Sequence, residues 1–526
     1  MKNDDYEQDD LQNDGDEQEQ SASPFNLFMQ QQLKGLPWWL ISIVAHTIIF
    51  CLSMLMVLDH PQQQVITEAE VGIEQELKEE VKPEPPKQDV QQQDNKNINP
   101  EEPEVKDPVV KEAKVSDHVE TANQDEHMTA KGNMDAHTDS PLMGKFDKSD
   151  IGIGGRAGST FGDRFGGKEN LVKDRGGSKK TENSVMAGLL WLKRHQSEDG
   201  KWSCGGFTSL CGRDTDHSGN CDGPGHSAYD VGVTGLALLC FLGAGNSTSV
   251  GEFQEQVKSG IQYLKSMQND NGCIGSQSGH LMYNHAIATL AMAEAYALSN
   301  YNPLLKSPTE KAVAFLLEAQ NPYLGWRYTP KCGDNDTSVT GWCVMALKSA
   351  KLAGIEIPES SLAGAKAFID TVTDPSYGRA GYTKKGEIVQ PPGFAYTESL
   401  TAVAMTARVF IGTERNDPNL TRGGKLLLDC LPAVGQNAKG ENSLDYYYWY
   451  YGTLAMFQLG DSDLPYWTKW NESMKETLIN SQERTGCKAG SWPATDRWSS
   501  AGGRIYATAL NVLSLEIYYR YDKVFK

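Results

Sequence analysis

The stretch Val185–Ser203, V-M-A-G-L-L-W-L-K-R-H-Q-S-E-D-G-K-W-S, decides the fold. Apolar residues recur at helical spacing through Trp191-Leu192 and the run ends near Gln196. Asp199-Gly200 then makes a turn and Trp202 closes it. The same order returns along the chain. Tyr263-Leu264 leads to Gln268 and Asn271-Gly272; Phe315-Leu316 to Gln320 and Gly325-Trp326; Leu478-Ile479 to Gln482, Gly486 and Ser491-Trp492. Self-similarity at such a period is the mark of stacked supersecondary units.

Each of these helices is followed by a more apolar one. The first partners are expected over Val185–His195, Val257–Met267, Lys311–Ala319, Leu362–Val372, Gly423–Leu431 and Trp470–Ser481. The second partners are expected over Asp230–Ala244, Tyr283–Leu298, Asp336–Ala353, Thr397–Ile411, Asp445–Leu459 and Arg504–Tyr521. Units four and five lack the Gln and Trp and rest on periodicity alone. Six pairs suit a closed double ring, an all-α (α/α)6 toroid with the more apolar helices inside, better than an open superhelix.

The pattern aromatic-Leu-x3-Gln-x2-Asp-Gly-x-Trp resembles the repeat of the squalene cyclase and protein prenyltransferase superfamily, over roughly the C-terminal two-thirds of the chain. That resemblance implies an α/α toroid for residues 182–526. It implies an activity less firmly, because one scaffold hosts many functions. Squalene-hopene-type cyclases protonate an alkene with the middle acid of Asp-x-Asp-Asp-Thr-Ala. Here the segment reads Gly333-Asp334-Asn335-Asp336-Thr337-Ser338, with an amide, Asn335, at the proton-donor position. The Asp, Cys and His set that holds zinc in protein prenyltransferases has no convincing counterpart.

The acidic surplus, 69 Asp and Glu against 49 Lys and Arg, gives a net charge of -20, which disfavours a nucleic acid partner. Residues 1–35 form a polar, acidic tail expected to be disordered. Residues 36–59 contain W-W-L-I-S-I-V-A-H-T-I-I-F-C-L-S-M-L-M-V-L, long enough for a transmembrane helix, with Trp38 and Trp39 at the interface. No small-residue cleavage site follows, so an uncleaved anchor is expected. Lys34 just before the span favours a cytoplasmic N-terminus, which puts the C-terminal domain on the outer, periplasmic side of a cell inner membrane. Ser42 and His46 within the span resemble the pair in TonB-type energy transducers, where it serves coupling to a proton-driven motor. Residues 60–181, rich in Pro, Glu and Gln and then in Gly, read as a linker with a reach on the order of 60 Å.

Cys204, Cys211 and Cys221, with His217 and His226 nearby, fit no common zinc spacing. A zinc site is conceivable there, but in an oxidising compartment a disulfide with a surface loop is expected ahead of it; no metal and no cofactor are expected. The starts of the inner helices are expected to make a polar rim around one cavity. Asp230, Asn284, His285, Tyr447, Tyr451 and Arg504 are expected to line it, and Asp334, Asp336 and Glu398 are its candidate acids. The same polar residues are also good helix caps. Asp445-Tyr-Tyr-Tyr-Trp-Tyr-Tyr451 adds an aromatic wall suited to a hydrophobic ligand or a cation.

These readings point to a membrane-anchored toroid that binds a hydrophobic small molecule or an envelope protein without catalysis. A terpenoid cyclase or polyprenyl-modifying enzyme is the first alternative, and a TonB-like transducer with a toroid effector domain the second.

Overall fold

The protein was analysed as a computed structural model, which describes residue 164 and residues 168–213, 217–276 and 280–523. The expected tail, the span with Ser42 and His46, and nearly all of the expected linker lie outside the described residues. Among the described residues no helix is long and apolar enough to cross a membrane.

A short helix, α1 (Lys168–Asp174), is followed by six helix pairs. The outer members are α2 (Lys179–Arg194), α4 (Gln254–Ser266), α6 (Pro303–Glu318), α8 (Glu359–Val372), α10 (Pro418–Leu428) and α12 (Tyr466–Ser481). The inner members are α3 (Asp230–Gly243), α5 (Leu281–Leu298), α7 (Thr337–Leu352), α9 (Ser399–Ile411), α11 (Tyr446–Leu459) and α13 (Ser499–Leu515), with α14 (Ile517–Arg520) after α13. Each inner helix packs on the next, and α13 returns to α3, so the inner ring is closed. Each outer helix packs on its own inner partner or on a neighbouring one, and α12 returns to α2. The expected toroid is present, units four and five included.

Composition explains which helix goes where. In α3 every residue is buried, and in α5 every residue except Tyr283. A helix apolar on all sides must be surrounded. In α2 the face carrying Val185, Leu189 and Leu192 is buried while Met186 and Leu190 are exposed. The outer helices begin three to eight residues earlier than the apolar pattern predicts, and in three of them a side-chain cap sets the start. Ser178 and Thr181 form a capping box on α2; Asn302 and Asp417 cap helices that open on Pro303 and Pro418. The folded body therefore begins before residue 182, and Leu171 and Val172 of α1 belong to the same core.

The repeated Gln and Trp hold the units together. Gln196 Nε2 donates to its own loop at Gly200 O, 2.8 Å, and to the next outer helix at Gln256 O, 3.0 Å. Gln268, Gln320 and Gln482 repeat the bridge, and Gln482 reaches Ser184 O of the first unit at 2.9 Å. Trp202, Trp326 and Trp492 donate their indole N–H to the outer helix of their own unit. Their backbone N–H groups go to Thr234, Thr340 and Thr508 on the inner helix. Gly200 sits at φ +91°, and a Cβ there would lie 2.1 Å from Ser259 O, so the turn admits no side chain. Unit four lacks the Trp and substitutes a hairpin of β1 (Thr373–Asp374) and β2 (Arg379–Ala380), with Thr401 accepting from Ala380 N at 3.2 Å.

The C-terminal ends of the inner helices are sealed by buried charge. Glu294 of α5 takes Arg520 Nη2 at 2.9 and 3.0 Å and Arg164 Nη1 at 2.8 Å. Arg520 also donates to Leu239 O at 2.7 Å and pairs with Glu516 at 3.3 Å. All four side chains are fully buried.

Candidate functional site

The other end of the inner ring, where the helices start, is aromatic. Tyr447 and Tyr451 on α11 lie one turn apart with ring centroids 4.9 Å from each other. Tyr447 Oη is 2.5 Å from Ser338 Oγ on α7, and Tyr451 packs edge-on to Trp342 of α7. Helices α7 and α11 are separated in the ring by α9, so these contacts cross its interior. Below them Tyr450 stacks on Trp342. The other tyrosines of the Asp445–Tyr451 run turn away: Tyr446 donates to Pro493 O at 3.0 Å and Tyr448 to Cys430 O at 2.7 Å.

Around this centre runs a crescent of half-buried rings. Tyr229 is 5.4 Å from His280, His280 is 5.0 Å from Tyr328, and Tyr283 is 5.9 Å from Tyr328. Tyr328 and Tyr382 join through their hydroxyls. The Arg327 guanidinium lies over both rings, 5.4 and 5.9 Å from their centroids. Burial pushes the Tyr283, Tyr382 and Tyr447 hydroxyls above the ordinary tyrosine range, so all three are protonated donors at neutral pH.

One carboxyl lies among them. Asp336 caps α7, its Oδ1 accepting from Val339 N at 2.8 Å. Its Oδ2 is buried without a hydrogen bond among the described residues, 3.9 Å from Arg327 Nε. Burial raises its pKa to about 6, against the Val339 N–H and the Arg327 charge, which pull it down.

The remaining expected rim residues do other work. Asp334 is exposed and pairs with Arg327 at 3.3 Å. Glu398 is buried and fully engaged, by Arg379 at 2.7 and 3.0 Å and by Thr401 at 2.7 Å. Neither is a buried acid with a spare oxygen. Asp230 accepts from Cys204 N at 2.8 Å, and Asn284 clasps Gly232 N and Ala228 O of the preceding unit. His285 turns outward: its Nδ1 accepts from Ile274 N and its Nε2 donates to Ala312 O, both at 3.0 Å. Burial lowers its pKa to about 4, which keeps it neutral. In unit two it takes the place of the Thr that receives the loop N–H elsewhere. Arg504 binds Ser491, Trp492 and Asp222. These residues cap helices and join units, and of the expected cavity set Tyr447, Tyr451 and Asp336 meet at the mouth. Tyr283, Tyr328, Tyr382, His280 and Arg327 were not anticipated. Four of them lie in loops or at a loop edge, where periodicity carries no signal.

A second acid sits beneath the rim. Asp496 accepts from Tyr446 N at 3.2 Å and Tyr506 Oη at 3.3 Å, and Ser499 donates to its other oxygen. Burial and the nearby Asp445 charge raise its pKa to about 7, against the Ser499 hydrogen bond.

The nine described cysteines are free thiols. The expected trio is divided: Cys211 and Cys221 converge with Cys487 and His195, while Cys204 is not in that group.

No family model and no curated protein matches the sequence. A variant of the type II terpene cyclase MstE from Scytonema, in complex with geranylgeranyl dihydroxybenzoate, is similar over 65% of this chain and 97% of its own. The identity is 16% and the TM-score 0.41. An alpha-amylase from Clostridium perfringens is similar over 64% of this chain and 98% of its own, at 14% identity and a TM-score of 0.40. A UGL variant with dGlcA-Glc-Rha-Glc is similar over 64% and 95%, at 12% identity and a TM-score of 0.41. These are distant likenesses, and the site is read from its own residues.

Proposed function

We propose that the toroid is a binding module whose ring mouth takes a ligand with an apolar face and hydroxyl edges, the chemistry of a neutral sugar chain. The observation that carries this is the crescent Tyr229, His280, Tyr283, Tyr328, Tyr382 and Tyr447, half-buried and bordered by Arg327. Aromatic faces offer contact area at small entropic cost, and their hydroxyls and Arg327 supply donors at the edges. A pure hydrocarbon would cover those polar groups without replacing their hydrogen bonds to water, a cost of about 1–3 kcal/mol for each group left unpaired. The ligand is thus more polar than the apolar inner helices suggest. The module is displayed on the outer side of a membrane by the anchor at 36–59, a proposal that fractionation and protease accessibility of intact cells decide.

A second reading, acid catalysis, is favoured by Oδ2 of Asp336, which is buried with no hydrogen bond among the described residues and only the Arg327 charge 3.9 Å away, and by a pKa raised to about 6. One experiment addresses both. The full chain in detergent is titrated calorimetrically with maltoheptaose, cellohexaose and geranylgeraniol, and each mixture is analysed by mass spectrometry. Binding of a glycan, weakened at least tenfold in Tyr328→Ala, supports the module. Binding of geranylgeraniol alone defeats it. A cleaved or cyclised product that vanishes in Asp336→Asn establishes the acid.

A further inference from the structure

The loop of unit one and the loop of unit six meet at a point, far in sequence and independent of the mouth. His195 stands at the end of α2, Cys211 and Cys221 in the loop before α3, and Cys487 in the turn Gly486–Lys488 between α12 and α13. His195 Nε2 lies 3.4 Å from Cys487 Sγ, 3.6 Å from Cys211 Sγ and 3.8 Å from Cys221 Sγ. All four ligand atoms lie within 4.8 Å of one another. A tetrahedral ion with metal–sulfur bonds of about 2.3 Å and a metal–nitrogen bond of about 2.0 Å sets its ligand atoms about 3.6–3.8 Å apart. The three nitrogen–sulfur separations match this, and closing the widest gap needs at most about 1 Å of movement.

The surroundings orient the ligands. His195 Nδ1 is 2.9 Å from Trp191 O, and a carbonyl can only accept, so the ring donates there and turns the lone pair of Nε2 to the sulfurs. Trp191 stacks on the imidazole at 4.2 Å and donates its indole N–H to Cys487 O at 2.9 Å. Cys221 N–H donates to Cys211 Sγ at 3.3 Å, which orients that sulfur. A disulfide among the three cysteines would leave one odd thiol beside the imidazole.

The geometry points to a structural zinc site formed by His195, Cys211, Cys221 and Cys487. Binding displaces three thiol protons; three thiolates, one neutral imidazole and Zn2+ carry a net charge of -1, beside Arg194 and Arg504. Three sulfurs and one nitrogen suit zinc, and four protein ligands leave no open position, so the ion supports the fold and performs no chemistry. Its ligands come from residues 292 positions apart, so it clasps the first unit to the last. In an oxidising compartment it also keeps these thiols from pairing.

The test uses the full chain purified from membranes without chelator or added metal. Plasma mass spectrometry is expected to find one zinc per chain, lost in Cys487→Ser and Cys221→Ser and kept in Cys332→Ser. Because a variant that loses the clasp can also lose its fold, the wild-type protein is titrated with a mercurial in the presence of a zinc dye. Zinc is expected to leave in step with three thiols. Cobalt exchanged into the site is expected to give thiolate charge-transfer and tetrahedral visible bands. Folded protein without zinc and with all three thiols open to alkylation overturns the site. So does a disulfide between any two of them, another metal in place of zinc, or zinc that leaves without thiol titration.

Discussion

The two ends of the inner ring are built from different chemistry. At the helix starts, tyrosine hydroxyls meet one another and a serine in a half-buried crescent, with one carboxyl oxygen that faces only the Arg327 charge. At the helix ends, Arg164, Arg520, Glu294 and Glu516 interlock in full burial. The inner helices are apolar along their length at both ends, so the difference lies in the polar groups the chain sets there. Neutral hydroxyls can exchange their partners for a ligand or for water at little cost. Buried charges cannot exchange theirs, because an unpaired ion in the interior costs several kcal/mol. One end is suited to recognition and the other to closure.

Breaking the closed end should have the largest effect. Glu294→Gln removes the carboxylate that Arg164 and Arg520 share, leaving Glu516 beside Arg520, and is expected to cost about 3–5 kcal/mol in urea unfolding of the full chain. A loss below about 1 kcal/mol would mean that the ion network does not hold that end shut.

The acid under the rim should give a smaller, pH-dependent effect. The folded protein holds the Asp496 proton up to about pH 7, whereas the unfolded chain releases it near the ordinary value of about 3.9. Its contribution to stability is therefore full below about pH 4 and is lost as pH rises through about 7. The span corresponds to at most about 4 kcal/mol. Melting temperatures of the Asp496→Asn protein measured across that window should fall less steeply than those of the wild type. Parallel curves would show that Asp496 titrates as it does in the unfolded chain.

The smallest change in stability belongs to the aromatic end. Tyr382→Phe removes one hydroxyl, and that of Tyr328 can turn to solvent, so the loss should stay within about 1 kcal/mol. Glycan affinity should fall several-fold in the same protein. A variant that is strongly destabilised yet binds normally would reverse the roles assigned to the two ends.

Much of the ring was legible because its determinants are local. Helical periodicity marked six pairs, and Gln196, Gln268, Gln320 and Gln482 stand where the joints proved to be, since each bonds a loop a few residues away. The inner helix starting at Arg504 was anticipated although the helix begins at Ser499. Gly503, at φ +65°, interrupts it, so regular turns resume at Arg504. The rim was read less well. Asp230, Asn284, His285 and Arg504 stand at corresponding helix starts with Tyr447, yet only Tyr447 turns to the ring interior. Facing is set by a helix's rotation about its own axis, and that is settled by packing against two neighbours.

By itself the sequence determined the repeat, the inner and outer assignment of its helices and the turns between them, because burial on all sides or on one is encoded within each helix. Tertiary structure alone decided which polar side chains meet. Cys487 reaches His195 across 292 residues only because the last unit returns to the first. Tyr328 and Tyr382, in loops with no period, come together only because neighbouring units set those loops side by side. The first of these meetings depends on ring closure, a property of all six pairs that no one of them carries; the second depends on the stacking of adjacent units.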